Sequence, residues 1–323
     1  MKANPANLKF PLHEKRGSRD KCNNATNQMN AMNQINAPNA KNAINAMNAM
    51  NALLRRIRAF IIRDLQLTLS YRVEFFIRII WILGIVTTFF FISRIFNNFP
   101  AARYAEWQNP LAAWLTGMAM LNYFLVGFSA LANAIRQEQI QGTLESVLLT
   151  PIGVPTVIVA SSAWAYLDAT FNSFLYLFFG WFFFGVQYRG NFLLALLFLV
   201  LTTLVLASIG ILSASFAMVF KRGDPFAILL GAGTALFSGV FFPKEMLQES
   251  IGETGGKILS DINPSTHGLE GIRGVLIQGK TFGQVENSFF ILLGFLAVLL
   301  PFSLWIFGLA IKRAKRDGSL IQY

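Results

Sequence analysis

The sequence predicts an all-α polytopic membrane protein with six transmembrane helices. Three observations carry that prediction. Of the 323 residues, 54% are hydrophobic and only 13% charged, against about 25% charged in soluble chains. The apolar residues gather into long runs, and about 20 of them suffice to cross a bilayer as a helix. The runs are continuous rather than alternating, which excludes barrel strands. Helices and closed barrels are the structures that satisfy their backbone inside lipid.

The runs fall at Phe75–Phe96, Leu111–Asn133, Thr156–Phe184, Phe192–Phe220, Phe226–Phe242 and Phe289–Ile311. An even number of crossings puts both termini on one side. That side, with the loops after the second and fourth spans, collects 19 Lys and Arg, and the opposite side seven. Arg78 lies near the start of the first span. Arg63, Arg72, Lys221, Arg222 and the "KRAKR" run at Lys312–Arg316 flank spans directly. Positive charge therefore places both termini in the cytoplasm. The net charge of +11 reads as this asymmetry together with contact with anionic lipid. No basic stripe marks a nucleic-acid partner. Cys22 is the single cysteine, which excludes an intramolecular disulfide, and His13 and His267 lie too far apart to suggest a metal site.

Two regions precede and make up the membrane domain. In residues 1–52, Asn recurs every third position from Asn24 to Asn51. A period of three suits neither helix nor strand, and Asn bonds its own backbone, so this tail is expected to be disordered. It lacks the apolar core of a signal peptide. The membrane domain is assigned to 53–323. It opens with an amphipathic interfacial helix, in which Leu54, Ile57, Ile61, Leu65 and Leu69 share a face opposite Arg56, Arg63 and Ser70.

Between the second and third spans stands "RQEQIQGTLESVLLTP", Arg136 to Pro151. Ile140, Leu144 and Val147 form one helical stripe, and Pro151 ends the helix. The result is a short rod, roughly 20 Å long, at the cytoplasmic surface. Spacing alone leaves two readings open: a contact for a soluble partner, or a cap on a loop.

A second motif is "GVLIQGKT", Gly274 to Thr281, which fits the phosphate-loop pattern at every fixed position. A working phosphate loop joins a strand to a helix inside a soluble α/β domain. This one lies between the fifth and sixth spans, on the outer side, with no room for such a domain. The match is accidental on this reading, and Gly274 and Gly279 shape turns around a short helix.

Inside the spans, Asp168 and Asn172 stand one turn apart in the third, and Asn122 in the second. A charge at mid-membrane costs about 2.5–3.5 kcal/mol, so Asp168 faces protein or a water-filled path. All three are candidate translocation-path residues or interhelical polar anchors. Glu270 and Arg273, three apart, are expected to pair. The stretch "FLYLFFGWFFFG" reads as lipid-facing bulk, or as an aromatic wall of a binding site.

Four stretches together resemble the membrane subunits of type-2 ATP-binding-cassette (ABC) exporters, of the multidrug and daunorubicin-resistance kind. They are "RDLQLTLSYR" (Arg63–Arg72), "EQIQGTLESVLLTP" (Glu138–Pro151), "SGVFFPKEML" followed by "INPSTHGLEGIRG", and "RAKRDGSLIQY" at the end. The resemblance runs from about Leu53 to Tyr323, with His267 where an aromatic is common. It implies a re-entrant outer segment at 243–288 before the last span, and makes residues 136–150 a coupling helix. That helix docks on a separate ATPase subunit through Glu138, Gly142, Thr143, Leu144 and Glu145. It further implies a bacterial plasma (inner) membrane protein, paired with a second permease subunit, that moves an amphipathic or lipid-like compound or drug outward. The chain is then a transport subunit and not an enzyme. It holds no cofactor, because ATP and magnesium belong to the ATPase partner. The alternatives are a polysaccharide or lipid-linked glycan exporter of the same superfamily and, further off, an ion-coupled carrier.

Overall fold

The computed structural model describes residues 47, 48, 50, 51, 55, 58, 62, 65, 66, 68, 70–96, 107–140, 154–220 and 225–316. The chain divides between Arg56 and Ile57 into two units. In the first, the described residues 47, 48, 50, 51 and 55 are helical and exposed. Asn48 and Asn51, the last repeats of the Asn tail, are thus helical where an irregular chain was expected. In the second unit the described residues from 58 to 70 are helical. Leu65 is exposed there, while Leu54, Ile57, Ile61 and Leu69 of the interfacial stripe lie outside the described residues.

The second unit continues through nine helices among the described residues. They are α1 (Arg72–Phe96), α2 (Pro110–Ile140), α3 (Val154–Phe184), α4 (Phe192–Phe220), α5 (Pro225–Phe237), α6 (Lys244–Ile251), α7 (Glu253–Ile262), α8 (Pro264–Leu276) and α9 (Phe282–Arg316). Five of them, α1, α2, α3, α4 and α9, are long and apolar enough to cross a membrane.

Asparagine starts several helices, because its side-chain oxygen accepts from the orphan N–H groups of a first turn. Asn109 accepts from Ala112 at the start of α2, Asn191 from Leu193 at α4, and Asn263 from Ser265 at α8. Pro110 and Pro264 then stand first in their helices, where a missing N–H costs nothing.

The core is built on α2 and α4, which cross closely. A Cβ on Gly210 would come within 2.2 Å of the Gly127 carbonyl oxygen, so glycine lets the two backbones meet. Around this pair, α3 lies on α2, and α9 on α4. Helix α8 is inserted against α2, α4 and α9, and every residue of it but Glu270 is buried. Its glycines, three apart, admit α4: a Cβ on Gly268 would meet Thr202 at 2.3 Å, and one on Gly271 would meet Phe198 at 2.3 Å.

The expected spans at Thr156–Phe184 and Phe192–Phe220 coincide with α3 and α4 within two residues. Two expectations need correction. The fifth span was placed at Phe226–Phe242, but its helix stops at Phe237 after 13 residues, about 20 Å of rise and too short to cross alone. Gly239, with φ +81, takes the chain out of helical geometry. The second helix overruns its expected end at Asn133 and continues to Ile140. Arg136 to Ile140 are therefore the last turns of α2, not the first of a separate rod.

Candidate functional site

One polar contact joins α1 to α3 within the apolar layer. The Arg78 guanidinium donates to Asp168 Oδ1 in an ion pair, and Asn172 Nδ2 donates to Asp168 Oδ2 at 3.1 Å. Ring stacking of Phe75 on Phe171, centroids 5.6 Å apart, closes the same contact. Pairing offsets the cost of placing either charge in hydrocarbon. Sequence reasoning singled out Asp168 and Asn172 but left Arg78 without a partner. A lone cation in one span and a lone anion in another were the available signal. Asn122 does not join them: its Nδ2 donates back to the Met118 carbonyl of its own helix at 3.0 Å.

Toward the end where α4 and α9 begin, α2, α3, α4 and α8 line an open-sided aromatic cavity of about 500 Å³. Tyr123, Phe174, Phe178, Trp181, Tyr188 and Phe192 supply its rings. Its polar groups are mostly spent on the protein. Tyr123 donates to Thr170 at 2.7 Å, Thr170 to the Tyr166 carbonyl, and Ser173 to the Ala119 carbonyl. The lining therefore presents carbon. Tyr188 is the exception: its buried hydroxyl finds no partner among the described residues, and burial pushes its pKa upward. The aromatic run of α3 divides between two roles, since Phe182 and Phe183 are exposed while Phe174, Phe178 and Trp181 also line the cavity.

Beside the cavity, Arg273 does not pair with Glu270. Its side chain is only 1% exposed and reaches the non-helical stretch after α5. It donates to the carbonyls of Gly239 at 2.8 Å, Val240 at 3.2 Å and Ala113 at 2.7 Å. Its Cζ stands 5.2 Å from the Trp107 ring centroid, and Trp114 Nε1 donates to the Phe241 carbonyl at 2.9 Å. In the irregular stretch Ser238–Phe242 the carbonyls of Gly239, Val240 and Phe241 are thus satisfied from α2 and α8. Glu270 turns the other way. It pairs with Lys244 at the start of α6 and accepts from Ser288 of α9 at 3.5 Å. His267 lies 3.8 Å from Glu270 and bonds the Asp261 carbonyl through Nε2 at 3.1 Å. Burial lowers its pKa against the opposing pull of Asp261, and Lys244 lowers it further.

"GVLIQGKT" is the end of a helix, not the start of one. Gly274 to Leu276 close α8, and Gly279 stands beyond it at φ +66. The N–H groups a phosphate would need are already bonded inward: Gly279 to the Val275 carbonyl at 3.2 Å and Lys280 to the Gly274 carbonyl at 2.9 Å. Thr281 opens α9, where Gln284 exchanges bonds with its backbone in a capping arrangement. Of the coupling residues, Glu138 falls in the last turn of α2. Gly142, Thr143, Leu144 and Glu145 lie outside the described residues.

The family model described as ABC-2 type transporter matches residues 49–277, from the helical residues before α1 to the end of α8. No curated protein matches the chain.

Proposed function

The chain belongs to the ABC-2 type transporter family, and from that premise we propose that it is the permease subunit of an export pump for an amphipathic or lipid-like compound. The observation that carries the choice of substrate is the aromatic cavity. A space of about 500 Å³, carbon-lined but for the Tyr188 hydroxyl, suits an apolar body with one acceptor group. A glycan exporter needs polar groups turned inward along its path, and here Tyr123, Thr170 and Ser173 are turned onto the protein.

Both termini face the cytoplasm of a bacterial plasma membrane, as the Lys and Arg distribution supports. A sixth crossing is completed by α5 together with Ser238–Phe242. The helix rises about 20 Å, short of a hydrocarbon core of about 30 Å, so the bent stretch Ser238–Phe242 lies within the membrane layer. Arg273 makes this passage tolerable by holding the carbonyls a helix would have held. Residues 136–150, with Glu138, Gly142, Thr143, Leu144 and Glu145, take the push of a separate ATPase subunit. A second permease subunit completes the path, and the substrate binds the inward and outward openings unequally, as any ligand that shifts such an equilibrium must.

The test is reconstitution of the chain with its ATPase subunit in vesicles, with a fluorescent amphiphile as cargo. Glu145→Arg should abolish ATP-driven uptake into inside-out vesicles while the complex still extracts and melts as the parent does. Phe178→Asn, within the cavity, should weaken cargo affinity about tenfold, the loss of one buried aromatic contact. Uptake that survives both substitutions, or that accepts only a glycan, sinks the reading.

A further inference from the structure

The motif that fails as a nucleotide cradle borders a different site. Where α4 and α9 begin, a groove of about 730 Å³ is lined by Arg189 and Asn191 before α4 and by Gly279, Lys280 and Thr281 before α9. Below them lies the flank of α4. Leu193, Leu196, Leu197 and Val200 line the groove and are 75%, 52%, 45% and 48% exposed. They recur at one helical stripe. Both helices start their crossings here, so the two cations sit at the level where hydrocarbon gives way to headgroups, whichever side of the membrane that is.

The cations are mounted on fixed backbone. The Arg189 N–H donates to the Leu276 carbonyl at 3.1 Å. A Cβ on the next residue, Gly190, would come within 1.7 Å of the Val275 carbonyl oxygen, so glycine is required where this loop presses on the end of α8. The Arg189 guanidinium is steadied by the Gln187 side chain. Lys280 follows the left-handed turn at Gly279. Neither cation pairs with a carboxylate among the described residues. On the other side of Arg189 a second hollow, of about 570 Å³, is edged by the amides of Gln108, Asn109, Gln187 and Gln278.

We propose that this groove binds one anionic phospholipid, its phosphate between Arg189 and Lys280, an acyl chain along the Leu193–Val200 stripe and its headgroup hydroxyls toward the amide hollow. Each part answers one feature of the ligand. Paired cations at a membrane surface select negative charge. The stripe admits a hydrocarbon chain. Backbone donors at the helix start are not involved, because Asn191 already caps α4.

The probe is phosphatidylglycerol, with phosphatidylcholine of the same chains as its neutral comparison. The full chain is extracted in mild detergent with equal amounts of both, and retained lipid is counted by native mass spectrometry. The parent should hold one phosphatidylglycerol in preference to phosphatidylcholine. Arg189→Gln and Lys280→Gln should each lower retention about fivefold, the worth of one interfacial cation, and Arg189→Lys should keep most of it. Leu197→Asn should weaken binding of the lipid. Arg94→Gln removes one charge at the same end of the bundle, outside the groove, and should change nothing. Equal retention of both lipids, a loss for Arg94→Gln matching that for Arg189→Gln, or full displacement of the lipid by millimolar inorganic phosphate would each overturn the proposal. The last result would mark a free-phosphate site instead.

Discussion

His267 is buried on a polar helix, and what surrounds it decides its charge. Glu270, 3.8 Å away, would favour the protonated ring, but Lys244 already neutralises that carboxylate. Asp261 pulls toward protonation through its carbonyl and its charge, Lys244 pushes against it, and burial is the largest influence. The folded-state pKa therefore lies below the usual 6.5 or so. The sign of the linkage follows: the unfolded chain takes up the proton first. The neutral ring's contribution is whole above about pH 6.5 and is lost as pH falls through the lowered folded value. Thermal melting in detergent should be flat from pH 8 to roughly 6.5 and decline below it. His267→Phe should remove that decline without lowering stability at pH 8. An unchanged acid slope in the variant would place the proton uptake elsewhere.

At the scale of elements, the informative case is the break after α5. Arg273 supplies three bonds to the carbonyls of Gly239, Val240 and Ala113 from a planar fork, a geometry Lys does not reproduce. Arg273→Met leaves buried acceptors without donors, at about 1–3 kcal/mol for each group left unsatisfied. Arg273→Lys should recover little of this loss. Both should lower the melting temperature by several degrees and expose the irregular stretch Ser238–Phe242 to protease. A Lys variant as stable as the parent would mean charge matters and the fork does not. The same residue explains what the sequence could and could not reveal. Hydropathy located α3 and α4 almost to the residue, because a span that packs as plain helix announces itself by composition. It ran α5 on through "SGVFF", since those residues carry no charge, although Gly239, in the left-handed region at φ +81, is a local mark of a helix end. The groups that make an irregular stretch tolerable there lie on α2 and α8, 33 residues or more away in sequence. Pairing Arg273 with Glu270 failed for the same reason, because spacing of three along a helix competes with partners that only the tertiary fold brings near. Asp168 was legible as a residue in need of company; Arg78 as that company was not, since pattern alone does not say that α1 lies on α3.

For the molecule as a whole, α1 is the most weakly attached of the five long helices. Phe76, Ile77, Ile80 and Trp81 stand exposed along it. It touches the rest of its unit through α3 and α2, and the Arg78–Asp168 pair is a polar tie within an otherwise apolar contact. A helix held this lightly can swing while the α2–α4–α9 core keeps its packing, as the proposed alternation between inward and outward openings requires. The tie then sets how firmly α1 is held in this state. Removing one partner strands the other charge in hydrocarbon, at a cost of up to about 3 kcal/mol, whereas removing both leaves none. Asp168→Leu should therefore lower the melting temperature more than Arg78→Leu with Asp168→Leu combined, and exchanging the two residues should restore most of the loss. Transport discriminates further. In the pump proposed above, the double Leu variant, folded but untied, should keep ATP hydrolysis by the ATPase subunit while losing much of its coupled uptake, because α1 no longer returns to one defined position. If the two single losses simply add in the double variant, the residues act independently, and α1 is positioned by its apolar contacts alone.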